Sequence, residues 1–213
     1  MSSEETEKKK QVIGQYGEFQ LAMVLHTKGW QVHRSFIDEG IDFVITKYWC
    51  EHCRQTSNQL IKTSTYKNRK RKVVTNLCEQ CEKQDLIILS RYLQVKTSEG
   101  VACNANPDIR NFSFHPKIRY ILGDDIFYVW IAVFIDNTEG QESSTALLHF
   151  YIFNTKDVIK FDNLDLPTYQ DTDNQKIVLR INRDGEVLNQ SKRVNFNYNC
   201  FKDFYNNFNS LDF

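Results

Sequence analysis

The chain has 213 residues, of which 41% are apolar and 13% aromatic, enough for one packed domain or one domain with an insertion. With eight Gly and three Pro it is neither collagen-like nor low-complexity, and it contains no run approaching the ~18 apolar residues of a transmembrane helix. Its 27 Lys and Arg balance its 27 Asp and Glu unevenly: residues 54–77 hold seven basic residues and no acidic one, leaving 20 basic against 27 acidic elsewhere, a charge of −7.

Residues 1–10 are polar, read as a frayed tail and carry no secretory signal, which predicts a cytoplasmic protein with no membrane partner. Residues 15–28 are dense in helix formers and close at Gly29, a residue suited to a helix C-cap. Residues 30–36 and 41–48 alternate like strands on either side of the Asp38-Glu39-Gly40 turn, which predicts a hairpin. Residues 49–84 then interrupt with two knuckles, Cys50-x-x-Cys53 and Cys78-x-x-Cys81, separated by 24 residues. Two such knuckles in a reducing compartment predict a structural Zn2+ site of four thiolates, closed to chemistry, in which His52 is a bystander. The loop between them carries Lys62, Lys67, Arg69, Lys70, Arg71 and Lys72, with Tyr66 alongside. Such a run is either a solvated loop or an arm that grips a polyanion.

Beyond the knuckles, residues 86–96 resume as a long strand, and residues 128–136 and 146–153 read as strands buried on both faces. Asn154 and Thr155 can cap a short helix over residues 156–159. Residues 176–182 read as an edge strand and residues 197–213 as an amphipathic helix. Cys103, Cys200 and His149 belong to no motif and read as buried packing residues. The chain therefore reads as an α/β protein: a tail (1–10), a core domain (11–48 plus 85–213) and an inserted four-cysteine zinc module (49–84).

Strand residues alternate faces, so Asp42 points away from Phe43 and Ile45, while Gln94 and Lys96 share the face opposite Leu93 and Val95. If those strands pair, Asp42, Gln94 and Lys96 converge. Glu18 lies on the same side of its helix as Ala22 and Leu25, where a carboxylate is costly unless paired or metal-bound, and Gly14 and Gly17 permit close backbone approach. Carboxylate, amide and main-chain oxygens suit hard Mg2+ or Mn2+, which polarises a phosphodiester, while a lysine stabilises the developing charge. Taken singly, each of these residues reads better as an ordinary polar group on an exposed face, with Glu18 complementing the helix dipole. The order Glu…Asp…Gln-x-Lys on a helix and two successive strands favours a site. No GxSxG, GxxxxGK[ST] or HExxH pattern is present, and the five histidines are scattered.

The segments Gly14-Gln-Tyr-Gly-Glu18, Gly40-Ile-Asp42 and Gln94-Val-Lys96-Thr-Ser98 resemble the PD-(D/E)XK, or restriction-endonuclease-like, nuclease superfamily in its Mrr-type QxK form. They are also similar to a bacterial GxxGE…GiD…QvKts pattern linked with restriction or phage-defence loci. The resemblance covers residues 11–98 and, more loosely, the strands to about 160. It implies a central mixed β-sheet flanked by helices, here with a zinc-ribbon-like insertion held in a crossover. It implies that Glu18, Asp42, Gln94 and the Val95 carbonyl hold a catalytic Mg2+ or Mn2+, with Lys96 as the catalytic lysine. The function it implies is metal-dependent endodeoxyribonuclease activity in restriction or anti-phage defence. Duplex DNA would be bound partly by the basic arm, next to the cutting site, and a homodimer or a larger defence complex would supply two active sites. The alternative is a catalytically inactive nucleic-acid-binding assembly subunit.

Overall fold

The computed structural model describes residues 3–35, 40–103, 106–114, 123–136, 145–158, 168–171, 174–188 and 198–212. Helix α1 (Ser3–Thr27) leads into strands β1 (Gln31–Arg34) and β2 (Phe43–Cys50), then the short β3 (Gln55–Thr56) and the hairpin strands β4 (Gln59–Tyr66) and β5 (Arg69–Cys78). Strands β6 (Leu86–Glu99), β7 (Val101–Cys103), β8 (Asn106–Phe114), β9 (Ile126–Asp136) and β10 (Thr145–Asn154) follow. After a helical turn at residues 155–158 come β11 (Thr168–Asp171), β12 (Asn174–Asn182) and β13 (Val187–Leu188), and two short 3-10 helices, Tyr198–Asp203 and Phe208–Leu211. Among the described residues no helix is long and apolar enough to cross a membrane.

The architecture is mixed α/β around a central mixed sheet of order β1-β2-β6-β9-β10, with β3 added to β2. The predicted β1–β2 hairpin is antiparallel, running from Gln31↔Thr46 to Arg34↔Phe43. Residues 38 and 39 of its turn lie outside the described residues. β2 and β6 are antiparallel, whereas β6 and β9 are parallel. β9 is apolar on both faces and sits between two cores. Phe127, Val129, Ile131 and Val133 pack with Leu21, Leu25 and Leu93 on the α1 side. Tyr128, Trp130, Ala132 and Phe134 pack with Phe112, Leu179 and Ile181 on the other.

That second core corrects the expectation of a sheet flanked by helices. Among the described residues one face carries α1 and the other carries a second, five-stranded sheet, β11-β12-β8-β7 with β13 on β12. The chain between the parallel strands β6 and β9 runs through β7 and β8, so a β-layer packs on the face where flanking helices were expected. β12, read as an edge strand, lies inside this second sheet between β11 and β8, with Ile177, Leu179 and Ile181 buried.

Three further differences have local causes. α1 begins at Ser3 and includes most of the expected tail, because the opening Glu/Lys run pairs at helical spacing: Lys8–Glu4 and Lys10–Glu7 are each 2.7 Å. The four-cysteine insertion lies in a hairpin connection and not in a crossover, since Cys50 pairs directly with Leu86 across the antiparallel β2–β6 ladder. The C-terminal segment forms 3-10 helices, in which side chains three apart align; Tyr198 and Phe201, then Phe208 and Leu211, are the buried pairs.

Other expectations agree. Gly29, at φ +82°, closes α1 with its N–H on the His26 carbonyl, and Trp30 N–H reaches Leu25 O, a Schellman ending. The Asn154 side chain accepts from Asp157 N–H at 2.9 Å and caps the turn at 155–158, while residue 159 lies outside the described residues.

Candidate metal and nucleic-acid site

Asp42 immediately precedes β2. Its N–H donates to Leu93 O at 2.9 Å and its Oδ2 accepts from Val95 N–H at 2.5 Å. The side chain thus continues the β2–β6 ladder past its last pair, Phe43↔Leu93, and fixes the carboxylate against β6. At Val95, expected to contribute its carbonyl, the observed contact with Asp42 runs through the N–H; the side chain packs in the α1-side core. Alternation then sends Gln94 and Lys96 to the opposite face, in register with Tyr128 and Trp130. Gln94 is fully buried; its Nε2 donates to Gly40 O at 2.9 Å. Gly40 adopts φ +89°, a conformation open to glycine at little cost, and this turn presents that carbonyl. Gln94 Oε1 has no hydrogen-bond partner among the described residues.

Glu18 arrives from α1. Gly17 presses the helix onto β6 so closely that a Cβ there would lie 2.2 Å from Thr97 Oγ1, whereas Gly14 meets nothing within 4 Å. Glu18 Oε2 is 3.3 Å from Arg34 Nη2. Burial raises the Glu18 carboxyl above its ordinary range and the Asp42 charge raises it further, against the opposing pull of Arg34 and Lys96. The Asp42 and Lys96 charges both act on Glu18. Strand alternation nevertheless turns Gln94 and Lys96 away from α1, so Asp42, Gln94 and Lys96 come together while Glu18 approaches from the other face of β6, against Arg34. Arg34 had no sequence signal beyond its place in a strand; the β1–β2 pairing puts it there.

The donor set fits a hard cation on two observations. The Asp42 charge disfavours ionisation of Glu18, and the buried Gln94 amide oxygen is left without a partner among the described residues. An unsatisfied buried polar atom costs about 1–3 kcal/mol. Oxygen ligands with negative charge are what Mg2+ and Mn2+ prefer.

At the opposite end of the β2–β6 ladder the four knuckle cysteines assemble, with all four Sγ atoms within 4.8 Å of one another. Cys50–Cys81 is 3.6 Å and Cys53–Cys78 is 3.9 Å. These bracket the spacing of about 3.8 Å that tetrahedral geometry requires at a Zn–S length of about 2.3 Å. The cluster can therefore hold Zn2+ with four thiolates and no open position. The knuckles are built alike: Arg54 N–H bonds Cys50 O and Glu82 N–H bonds Cys78 O, with Arg54 at φ +52° and Glu82 at φ +56°. Burial works to raise the Cys78 thiol, but hydrogen bonds from Ser57 and from the Cys81 and Gln80 backbone outweigh it and bring it down to about 6, favouring the thiolate. Hydrogen bonding with Cys81, then burial, pushes the Cys53 thiol up to about 12. Ser57, 3.1 Å from Cys78 Sγ, was not visible from sequence. His52 faces Lys83 at 3.1 Å and takes no place among the four sulfurs.

The basic run forms the β4–β5 hairpin. Its two-residue turn, Lys67 (φ +47°) and Asn68 (φ +61°), has the type I′ form whose twist suits a hairpin. Lys62, Lys67, Arg69, Lys70, Arg71 and Lys72 are all exposed, on both faces of the ribbon. The eight residue pairs of β2–β6 separate the knuckles at its base from Asp42, roughly 25 Å at about 3.3 Å per residue. The hairpin is therefore rooted at the far end of the ladder from the carboxylates, not beside them. Comparison with protein-family models, with curated proteins and with solved structures finds no match to this chain.

Proposed function

We propose that the chain is a divalent-cation-dependent endodeoxyribonuclease on a restriction-endonuclease-like core, with a zinc-ribbon-like insertion as a DNA-holding arm. The observation that carries this reading is the buried Oε1 of Gln94, without a partner among the described residues, across the ladder from Asp42, with Lys96 two residues along the same strand face and the Asp42 charge acting on Glu18 on the α1 side. The run α1-β1-β2-β6 with β9 parallel to β6 supports the core; the second β-layer is a departure from helices on both faces.

Asp42, Glu18 and Gln94 would hold the cation, Mg2+ or Mn2+. When bound, it neutralises charge at a phosphodiester and makes water a better nucleophile. Lys96 stabilises negative charge that develops on the phosphoryl oxygens. Arg34 holds Glu18 in place, and Val95 N–H fixes the Asp42 carboxylate. The hairpin cations bind phosphates without reading bases, so DNA affinity falls steeply with salt. Cutting both strands of a duplex takes two such sites, which a homodimer or a larger assembly would provide.

The test is incubation of wild type, Asp42→Ala and Lys96→Ala with supercoiled plasmid, linear duplex, single-stranded DNA and RNA, in Mg2+, Mn2+ or EDTA. Cleavage of DNA by wild type alone, abolished by EDTA, is the expected result. A second reading, a non-catalytic nucleic-acid-binding subunit, is favoured by the neutral Gln94 at a strand position where a carboxylate would serve a metal better. DNA retained in a gel shift with no cleavage under any condition would select it.

A further inference from the structure

The second sheet covers only part of the central sheet's face. Where it packs, Tyr128, Trp130, Phe134 and Phe153 are buried. On the β2–β6 part of that face, Ile88 is 61% exposed and Tyr92 41%. Their strand neighbours Leu89, Arg91 and Leu93 are buried toward α1 and the C-terminal segment, so Ile88, Ser90 and Tyr92 point the other way, as Gln94 does. The register Tyr48↔Ile88, Thr46↔Ser90, Val44↔Tyr92 completes a strip. It runs from the four-cysteine knuckles to Asp42 and the unpartnered Oε1 of Gln94.

None of these six side chains is acidic. One end of the strip carries the hairpin with its six basic residues and no acidic one, and the other carries Lys96. Exposed tyrosine and isoleucine flanking small hydroxyls are poorly used by a duplex, whose bases are stacked inside. They suit unpaired bases, which have free π-faces, while cations at the ends suit the phosphates. We propose that the β2–β6 strip is a binding track for a single-stranded segment of nucleic acid, anchored by the hairpin cations and directed at Asp42 and Gln94. This deepens the nuclease reading and rests on it for the role of the far end.

Fluorescence anisotropy tests the track in EDTA, where nothing is cut. The probes are labelled 12-nucleotide single-stranded DNA, the same sequence as RNA, and the DNA duplex. Tyr92→Ala, which removes an exposed ring, should weaken single-strand binding by about fivefold or more at an unchanged melting temperature. Tyr92→Phe should stay within about twofold of wild type, and duplex binding should not move. Equal loss on duplex and single strand, no change on either, or no single-strand binding by wild type overturns the track. Parallel cleavage assays in Mg2+ separate the two ideas. A wild type that cuts, with Tyr92→Ala affinity unaltered, upholds the nuclease and overturns the track. A wild type that never cuts, yet shows the single-strand-selective loss, upholds the track and overturns the catalytic reading.

Discussion

Glu18 shows how a proposed site residue can cost stability. Its carboxyl is raised above 4.5 in the folded protein, chiefly by burial and by the Asp42 charge. Between 4.5 and that raised value the folded state holds more protons than the unfolded one, so stability falls as pH rises through this window. At neutral pH the ionised group is destabilising. Glu18→Gln should therefore melt above wild type at pH 7, with the gain vanishing below about pH 4.5, as thermal melts across pH would show. On the proposed cation site, Mn2+ should raise the melting temperature of wild type and not that of this variant. Gly17 sets the opposite balance. Alanine is about 1 kcal/mol better than glycine inside a helix, yet here its Cβ would meet Thr97 Oγ1 at 2.2 Å and Thr97 Cβ at 3.0 Å. Because β-branched threonine is stiff, Gly17→Ala should destabilise by about 1–3 kcal/mol, measured by denaturant unfolding. Asp42, Gln94 and Lys96 were legible because strand alternation is a local rule and their spacing follows it. Glu18 was legible as a charge on an apolar helix side. Arg34 and Ser57 were not, because each is brought in by a strand pairing or loop path that no local pattern encodes.

Among the elements, the β4–β5 hairpin depends most on something other than itself. Ile61, Tyr66, Val73 and Val74 are 56%, 65%, 45% and 58% exposed, so the ribbon has no core of its own. A two-stranded hairpin is marginal in water, and this one is rooted in the sulfur cluster. If the four thiolates hold Zn2+, a chelator, or Cys78→Ser, should raise hydrogen exchange across residues 59–78 to near the unfolded rate, while the amides of β9 stay protected. Protection retained on the hairpin after verified zinc loss would show that the metal does not hold it. The paired CxxC spacing made the cluster legible, whereas the hairpin's length and turn were hidden in a polar, charged run with little alternation to mark strands.

At the scale of the molecule, the central sheet is clamped from the C-terminal end. Lys47 is buried, pairs with Asp212 and lies 4.4 Å from the Trp30 ring centroid, while Arg91 bonds Leu211 O at 3.0 Å and Asp212 O at 3.2 Å. Asp212→Ala leaves Lys47 buried without its carboxylate and should cost about 2 kcal/mol in chemical denaturation, with Lys47→Met in the same chain recovering most of it. The central strands were readable because β9 and β10 are continuous apolar runs, but the second sheet was not. Strands β7, β11 and β13 have only two to four residues, and β12, though readable as a strand, pairs with β8 across more than sixty residues of chain, a contact set by tertiary packing and not by local pattern. The sheet positions the proposed site at one end of β2–β6 and the four-cysteine cluster at the other. The most direct test of that site is single-turnover DNA cleavage in Mg2+ alongside calorimetric Mn2+ binding, for wild type, Lys96→Ala and Asp42→Ala. Lys96→Ala should bind Mn2+ like wild type and cut at least about 100-fold more slowly, and Asp42→Ala should lose both cation and cutting. Cleavage by Asp42→Ala at the wild-type rate, or Mn2+ bound undiminished without Asp42, would contradict it.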